Sequence, residues 1–134
     1  MTLYVDSSAL IKRYIEEPDS DSAALILESD PVLATSWVTV VEVRRNVARL
    51  LDGNARRVAL RCAERDFDTM ALITCDGAVS TAGAAIGEIL GVRSLDAIHL
   101  ASAQRLMIES LGFVTFDLRQ GQAARSLGLR VLGC

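Results

Sequence analysis

The chain has 134 residues, 51% of them hydrophobic, and a formal net charge of −3, so it is long enough to bury a core and to form a single domain over residues 1–134. The apolar content, together with only two prolines, excludes a disordered or linker-like chain. Because no apolar run approaches the roughly 20 residues that span a bilayer, and the first residues do not resemble a signal peptide, we expect a soluble cytoplasmic protein.

The first half of the chain alternates short apolar runs with longer amphipathic segments, a pattern typical of α/β folds. Strands are predicted at residues 3–5 and 31–34. Helices are predicted at 6–17, 20–29, 36–52 and 55–67. We expect Pro18 to stop the first of these helices and Gly53 to close the third one in a left-handed cap.

The second half continues the pattern. Strands are predicted at residues 72–74, 113–116 and 129–132. Helices are predicted at 76–90, 94–111 and 118–127, each followed by a glycine. The strands are short and apolar on both faces, so we predict a three-layer α/β/α architecture in which helices flank a short parallel sheet.

Acidic residues occupy positions where this architecture would place a ligand. Asp6 and Asp117 directly follow predicted strands, and open α/β sheets bind ligands at the carboxyl ends of their strands. Asp96 begins an otherwise apolar helix, and Glu42 lies among valines in the middle of another. Taken singly, each has a simpler interpretation: Asp6 and Asp117 as helix N-caps, Asp96 as a partner of the helix dipole, and Glu42 as part of a solvated face beside Arg45.

Taken together, the four carboxylates favour a shared metal site, because a cluster of four acids cannot stay ionised without a cation. Oxygen ligands favour Mg²⁺ or Mn²⁺ over zinc, since the chain offers one histidine and three scattered cysteines. Without these four charges, the net charge of the remainder changes from −3 to +1, which leaves arginines available for phosphates. Acidic sites that hold divalent metals are typical of phosphodiester hydrolysis.

Four segments around these acids resemble the motifs of PIN-domain nucleases in order, spacing and chain length. They are YVDSSALIK at 4–12, VVEV at 40–43, LDAIHLASA at 95–103 and VTFD at 114–117. The first and third segments are the most specific. Within that family the chain most resembles the VapC toxins of VapBC toxin–antitoxin modules, over essentially its whole length. The resemblance implies a PIN-like fold and an endoribonuclease that is the toxin of a type II module.

The resemblance also implies roles for individual residues. The catalytic and metal-binding residues, for Mg²⁺ or Mn²⁺, are Asp6, Glu42, Asp96 and Asp117. Of these, Asp6 and Asp96 are expected to bind the ion directly, and the other two through water or a second metal. Hydroxyl groups that hold a water beside the metal are predicted at Ser7, Ser8 and Thr115. For His99, which follows Asp96 by three residues, an ion pair or a place in the core is favoured over catalysis.

Arginines and apolar residues indicate the partners. Arg93 and Arg119 flank the acids in sequence and are predicted to contact RNA phosphates. The arginines of helices 36–52 and 55–67 are assigned first to solvated faces. The resemblance adds a homodimer and a VapB-like antitoxin that bind helical surfaces. Four apolar residues exceed what one core is expected to bury: Trp37, Val38, Val41 and Leu51.

Other classes fit the sequence less well. A haloacid-dehalogenase-like phosphohydrolase needs a second Asp where this chain has Ser8, and a receiver domain needs an acidic pair and a later lysine, whereas the only lysine is Lys12. Dinucleotide-binding and P-loop proteins need a glycine-rich loop after the first strand, which this sequence lacks. The alternative that stays open is a PIN-like module that binds RNA or a partner without cleaving RNA.

Overall fold

Five short parallel strands form one sheet in the computed structural model, which describes residues 2–134. They are β1 (Leu3–Val5), β2 (Leu33–Ser36), β3 (Ala71–Ile73), β4 (Gly112–Val114) and β5 (Arg130–Leu132). Their order is β3-β2-β1-β4-β5, so the first strand of the chain is the central one. Tyr4 of β1 lies opposite Ala34 on one side and Phe113 on the other. Met1, part of the predicted domain, lies outside the described residues.

Helices connect the strands. They are α1 (Ser7–Leu10), α2 (Ser20–Glu28), α3 (Trp37–Leu50), α4 (Gly53–Thr69), α5 (Gly77–Leu90), α6 (Ser94–Arg105) and α7 (Leu118–Ser126), and a 3₁₀ turn, Ile11–Arg13, extends α1. None of the helices within residues 2–134 is both long and apolar enough to span a membrane.

The core has two halves, one on each face of the sheet. Leu3 and Val5 belong to an apolar cluster with residues of α1 to α4, whereas Tyr4, between them, belongs to a cluster with residues of α5 to α7. Successive side chains of a strand point to opposite faces, which explains this division. The structure therefore confirms the predicted α/β/α layers and the short parallel sheet.

The first helix is shorter than predicted, because the expected helix over 6–17 ends at Leu10 and continues only as the 3₁₀ turn. The backbone N–H groups of Tyr14 and Ile15 both donate to the Ile11 carbonyl at 2.9 Å, which tightens and ends the turn. Tyr14 then reaches α4, where its hydroxyl donates to Asp66 at 2.5 Å. The helix ends early because these side chains pack against the core.

Gly53 was predicted to close the third helix, and this prediction is wrong. Helix α3 ends at Leu50, and Gly53 begins α4 with φ +54°. A left-handed residue at this point turns the chain between two helices at little cost only if it is glycine. The end of α3 is capped instead by the Arg56 side chain, which donates to the backbone carbonyls of Ala48 and Leu51.

One further helix boundary and two strand boundaries also differ from the prediction. The predicted helix over 94–111 ends at Arg105, because Met107 takes a left-handed φ of +52°. Strand β4 then runs from Gly112 to Val114, so Asp117 follows it after two further residues. Strand β2 begins two residues later than expected, since the Asp30 side chain accepts from Val32 N and forms a turn before it.

Candidate active site

The four predicted acids line one cavity of about 230 Å³. Asp6 follows β1 and Asp117 follows β4, so the two adjacent central strands bring them to the same edge of the sheet. Glu42 comes from α3 and Asp96 from the first turn of α6. The remaining residues that line the cavity are Ser7, Ser8, Ile11, Asn46 and Arg93.

The carboxylate of Asp6 is buried, with the residue only 3% exposed, and is held at both oxygens. Its Oδ1 accepts from Ser8 Oγ at 2.7 Å and from Ala9 N at 3.1 Å, and its Oδ2 accepts from Thr115 Oγ1 at 2.5 Å. Burial raises the pKa of Asp6, and these hydrogen bonds oppose that rise. Asp6 is thus the N-cap of α1 and also lines the cavity, so a capping role and a place in the acidic site are compatible.

Glu42 is fixed by partners at both oxygens. Its Oε1 lies 2.7 Å from His99 Nε2, and its Oε2 accepts from Ser7 Oγ at 3.0 Å. The other ring nitrogen, His99 Nδ1, lies 2.8 Å from the Tyr4 hydroxyl. A neutral ring with its proton on Nε2 satisfies both contacts, because Nε2–H donates to the carboxylate and Nδ1 accepts from Tyr4. Burial raises the pKa of Tyr4, so the hydroxyl keeps the proton that it donates.

Arg93 joins the other two acids. Its Nε donates to Asp96 Oδ2 at 3.0 Å, and its Nη2 donates to Asp117 Oδ2 at 3.4 Å. Asp117 Oδ1 accepts from the backbone N–H groups of Arg119 and Gln120 and so caps α7. In this arrangement, residues 2–134 contain no group of three or more acidic, histidine or cysteine side chains that could hold a metal ion.

A second cavity, of about 340 Å³, adjoins the first, and we call it the arginine groove. Arg93 and Asp96 line both cavities. The other residues of the arginine groove are Leu90, Gly91, Val92, Arg119, Gln122, Ala123 and Ser126. Arg119 therefore lies beside the acidic cavity without lining it.

Sequence reasoning missed two residues of this region. Asn46 lines the acidic cavity one helical turn after Glu42, and that spacing was the signal that could have identified it. Tyr4 contacts His99 across 95 residues of sequence, and no local pattern indicates that contact. His99 is buried, as expected of a core residue, but the carboxylate that it contacts is Glu42 on another helix and not Asp96.

Comparison with known proteins identifies relatives of the whole chain. The family model for the PIN domain matches residues 3–126. Ribonuclease VapC46 of Mycobacterium tuberculosis is 37% identical over 131 residues, which cover 97% of this chain and 95% of that protein.

Solved structures share the fold. FitAcB from Neisseria gonorrhoeae superposes with a TM-score of 0.76 at 22% identity, covering 97% of this chain and 96% of that one. A toxin–antitoxin complex from Klebsiella pneumoniae gives a TM-score of 0.67 at 21% identity and covers 87% of each chain. At these identities the likeness concerns the fold alone.

Proposed function

Because the chain belongs to the PIN-domain family, we propose that it is a metal-dependent endoribonuclease and the toxin of a type II toxin–antitoxin module. The observation that carries this proposal is the cavity that Asp6, Glu42, Asp96 and Asp117 line at the carboxyl edge of the sheet. The ribonuclease name of VapC46, a relative over nearly the full length of the chain, supports the activity.

The residues of the cavity fit Mg²⁺ or Mn²⁺. The candidate ligands are carboxylate, hydroxyl and amide oxygens, which is the ligand type that these ions prefer, although the acids are not grouped as a metal-ion site in the arrangement described above. A carboxylate offers about four acceptor sites, and Asp6 uses three of them, which leaves one for an ion. We assign direct binding to Asp6 and Asp96, and contact through water to Glu42 and Asp117. When bound, such an ion polarises a phosphoryl oxygen and lowers the pKa of a water molecule.

The chain's own residues orient the reactants. Ser8 and Thr115 hold the Asp6 carboxylate in place, while Ser7 and His99 hold that of Glu42. A carboxylate fixed at both oxygens can accept a hydrogen bond from the attacking water in a single orientation, which favours in-line attack on the phosphodiester bond. The reaction is a hydrolysis, so it needs no covalent intermediate with the protein.

The substrate that we propose is single-stranded RNA or an unpaired RNA loop. An acidic cavity on a compact domain admits a flexible strand more readily than an A-form helix. Arg119, in the arginine groove, is placed to contact a phosphate next to the one that is cleaved.

The proposed partners are a second copy of the chain and a VapB-like antitoxin. Trp37 and Val41 lie one turn apart on α3 and are 51% and 67% exposed, as expected of an interaction surface. The other two residues predicted for this surface contribute less, because Val38 is partly buried and Leu51 packs against the core. The solved structure of a toxin–antitoxin complex with this fold supports the antitoxin.

The test is RNA cleavage by the purified protein. We expect cleavage of single-stranded RNA with Mg²⁺ or Mn²⁺ and none in excess EDTA. Asp6→Asn should abolish cleavage, while Asp68→Asn, at an exposed acid of α4, should not. Equal cleavage in EDTA would contradict the metal mechanism. RNA binding without cleavage at any metal concentration would favour the binding-module alternative.

A further inference from the structure

Arg93 holds an unusual position in this molecule. Its guanidinium bridges Asp96 and Asp117, two of the four acids, yet its side chain is 76% exposed. Arg93 is the N-cap residue of α6 and has an extended backbone conformation. Its long side chain lines the acidic cavity. Among the described residues that line this cavity, Arg93 is the one with a permanent positive charge.

The acidic cavity needs a positive charge when no metal ion is bound. Four carboxylates that share about 230 Å³ repel one another unless a cation offsets them. The His99 ring and the Ser7 hydroxyl hold Glu42 by hydrogen bonds, and hydroxyl and N–H donors stabilise Asp6. The remaining pair, Asp96 and Asp117, has Arg93.

We propose that Arg93 is an internal counter-ion of the acidic cavity that a divalent cation displaces, whereupon its guanidinium turns into the arginine groove and binds an RNA phosphate. This rests on the proposed function, since it takes the acids as the metal site and RNA as the substrate. The inference goes beyond the proposed function because it gives Arg93 two alternating partners, the aspartates of the acidic cavity and an RNA phosphate.

The displacement is physically easy. Ion pairs made by an exposed arginine are weak, so little holds Arg93 on the two aspartates. A divalent ion on Asp96 would lie within a few ångströms of the guanidinium, and like charges at that distance disfavour joint occupancy. The side chain already lines both cavities, so a change of rotamer moves its charge from one to the other.

The arginine groove suits the second position. Arg119 lines it as well, so the arginine groove offers a second guanidinium group to a phosphate. Gln122 and Ser126 add further polar side chains to the lining. A phosphate bound there would lie next to the acidic cavity, because Arg93 and Asp96 form the wall that the two share.

The first test measures metal binding without RNA. Free Mn²⁺ is titrated into the full-length protein and followed by electron paramagnetic resonance. We expect Arg93→Gln to bind Mn²⁺ about three- to tenfold more tightly than the wild type, because the competing charge is gone. Arg119→Gln, which removes the same charge from the groove alone, should change the affinity less than about twofold.

The second test follows the side chain itself. The ¹⁵Nε–¹Hε signal of Arg93, assigned by its loss in Arg93→Gln, should exchange with water more slowly than that of an unpaired exposed arginine in EDTA, where it donates to Asp96. Saturating Mg²⁺ should accelerate this exchange to the rate of an exposed arginine.

The third test concerns the phosphate. A single-stranded RNA dodecamer with cleavage-resistant phosphorothioate linkages is bound in Mg²⁺ at several salt concentrations. Arg93→Gln should weaken binding and lower the slope of log affinity against log salt by about 0.7, the loss of one contact.

Several results would overturn the proposal. In the first test these results are unchanged or weaker Mn²⁺ binding by Arg93→Gln, equal effects of Arg93→Gln and Arg119→Gln on the Mn²⁺ affinity, or no Mn²⁺ binding by any variant. In the second test, the result is Arg93 hydrogen exchange that stays slow in Mg²⁺. In the third test, it is a salt slope that Arg93→Gln leaves unchanged. None of these measurements depends on RNA cleavage. A protein that passes all three but does not cleave RNA would therefore refute the proposed function and leave the counter-ion in place.

Discussion

Asp6 is almost fully buried at the wall of the acidic cavity, and this burial raises its pKa. A carboxyl group whose pKa is higher in the folded than in the unfolded state stabilises the fold below the unfolded pKa. That contribution is lost as the pH rises through the folded pKa. In the protein without metal, the ionised Asp6 therefore lowers the free energy of unfolding at neutral pH.

We predict that Asp6→Asn lowers RNA cleavage more than about a hundredfold and yet raises the free energy of unfolding in EDTA by about 1 kcal/mol at pH 8. The amide keeps an oxygen for Ala9 N and Ser8 while it removes the buried charge. Urea denaturation from pH 4 to pH 8 measures the gain, which should grow with pH because only the wild type titrates. A gain that shrinks as the pH rises would contradict this account of Asp6.

Tyr4 supports Glu42 through the ring of His99, and removing its hydroxyl isolates that effect. We predict that Tyr4→Phe lowers the free energy of unfolding by about 1–3 kcal/mol, since it leaves a buried ring nitrogen without its partner. Cleavage should fall roughly tenfold through kcat, because the orientation of Glu42 loosens.

Tyr14→Phe is the matched control, because it deletes a hydroxyl that donates to Asp66, away from the acidic cavity. Steady-state kinetics and denaturation of both variants give the comparison. Equal kinetics for the two variants would show that Tyr4 has only a structural role.

Local patterns predict residues of the site when the signal lies next to them in sequence. Asp6 and Asp117 could be found because each sits between an apolar run and a helix start. The pair of Glu42 and His99 could not, since 57 residues separate two side chains that meet only after α3 and α6 have packed. Arg93 was predicted as a phosphate contact. Its ion pair with Asp96 is a local contact three residues apart, whereas its ion pair with Asp117, 24 residues away, forms only in the folded chain.

Among the elements, the segment after β5 supports the site from the edge of the sheet. Gly133 has φ +107°, and a Cβ at this position would lie 2.3 Å from the Thr115 carbonyl oxygen. Thr115 in turn donates to Asp6. The close approach of the Gly133 backbone to Thr115 therefore helps to position the Asp6 carboxylate, which is distant in sequence.

We predict that Gly133→Ala lowers the free energy of unfolding by about 1–3 kcal/mol through strain at this φ and the clash with Thr115. RNA cleavage should fall as well, because a displaced Thr115 no longer holds Asp6. Gly77→Ala is the control, since a Cβ there meets nothing within 4 Å in the first turn of α5. It should leave cleavage unchanged and stabilise the fold by about 0.5–1 kcal/mol, as thermal unfolding can measure.

Element boundaries were harder to predict than the elements. The apolar run through Met107 and Leu111 continued the pattern of α6, but Met107 ends that helix in a left-handed conformation and Leu111 packs in the core. Gly53 begins another helix, and a glycine alone does not distinguish a helix end from a helix start. The side chain that caps α3 is Arg56, which lies beyond this glycine in sequence.

For the whole molecule, α3 leaves Trp37 and Val41 exposed, and these residues form the dimer surface that we propose. We predict that Val41→Glu shifts a homodimer toward monomer by at least about tenfold in Kd, measured by light scattering over a range of concentrations. Val58→Glu is the control, because Val58 is 52% exposed on α4 and lies outside this pair. Equal effects of the two substitutions, or a wild type that is monomeric at high concentration, would refute the proposed dimer surface.

At this scale the sequence predicts the layers but not the order of the strands. Alternating apolar and amphipathic segments indicate a parallel sheet flanked by helices, whatever the neighbours of each strand. The central position of β1 depends on pairing with β2 and β4, and β4 lies more than a hundred residues away. Such long-range pairing leaves no local mark in the sequence.

The central position of β1 has a consequence for synthesis on the ribosome. Asp6 emerges early, but Thr115, which holds its carboxylate, lies 109 residues later. At about 5–20 residues per second, that interval lasts roughly 5–20 s. During this time the nascent chain lacks β4 and Asp117 and cannot assemble the acidic cavity. The candidate active site therefore forms only after almost the whole chain has been synthesised.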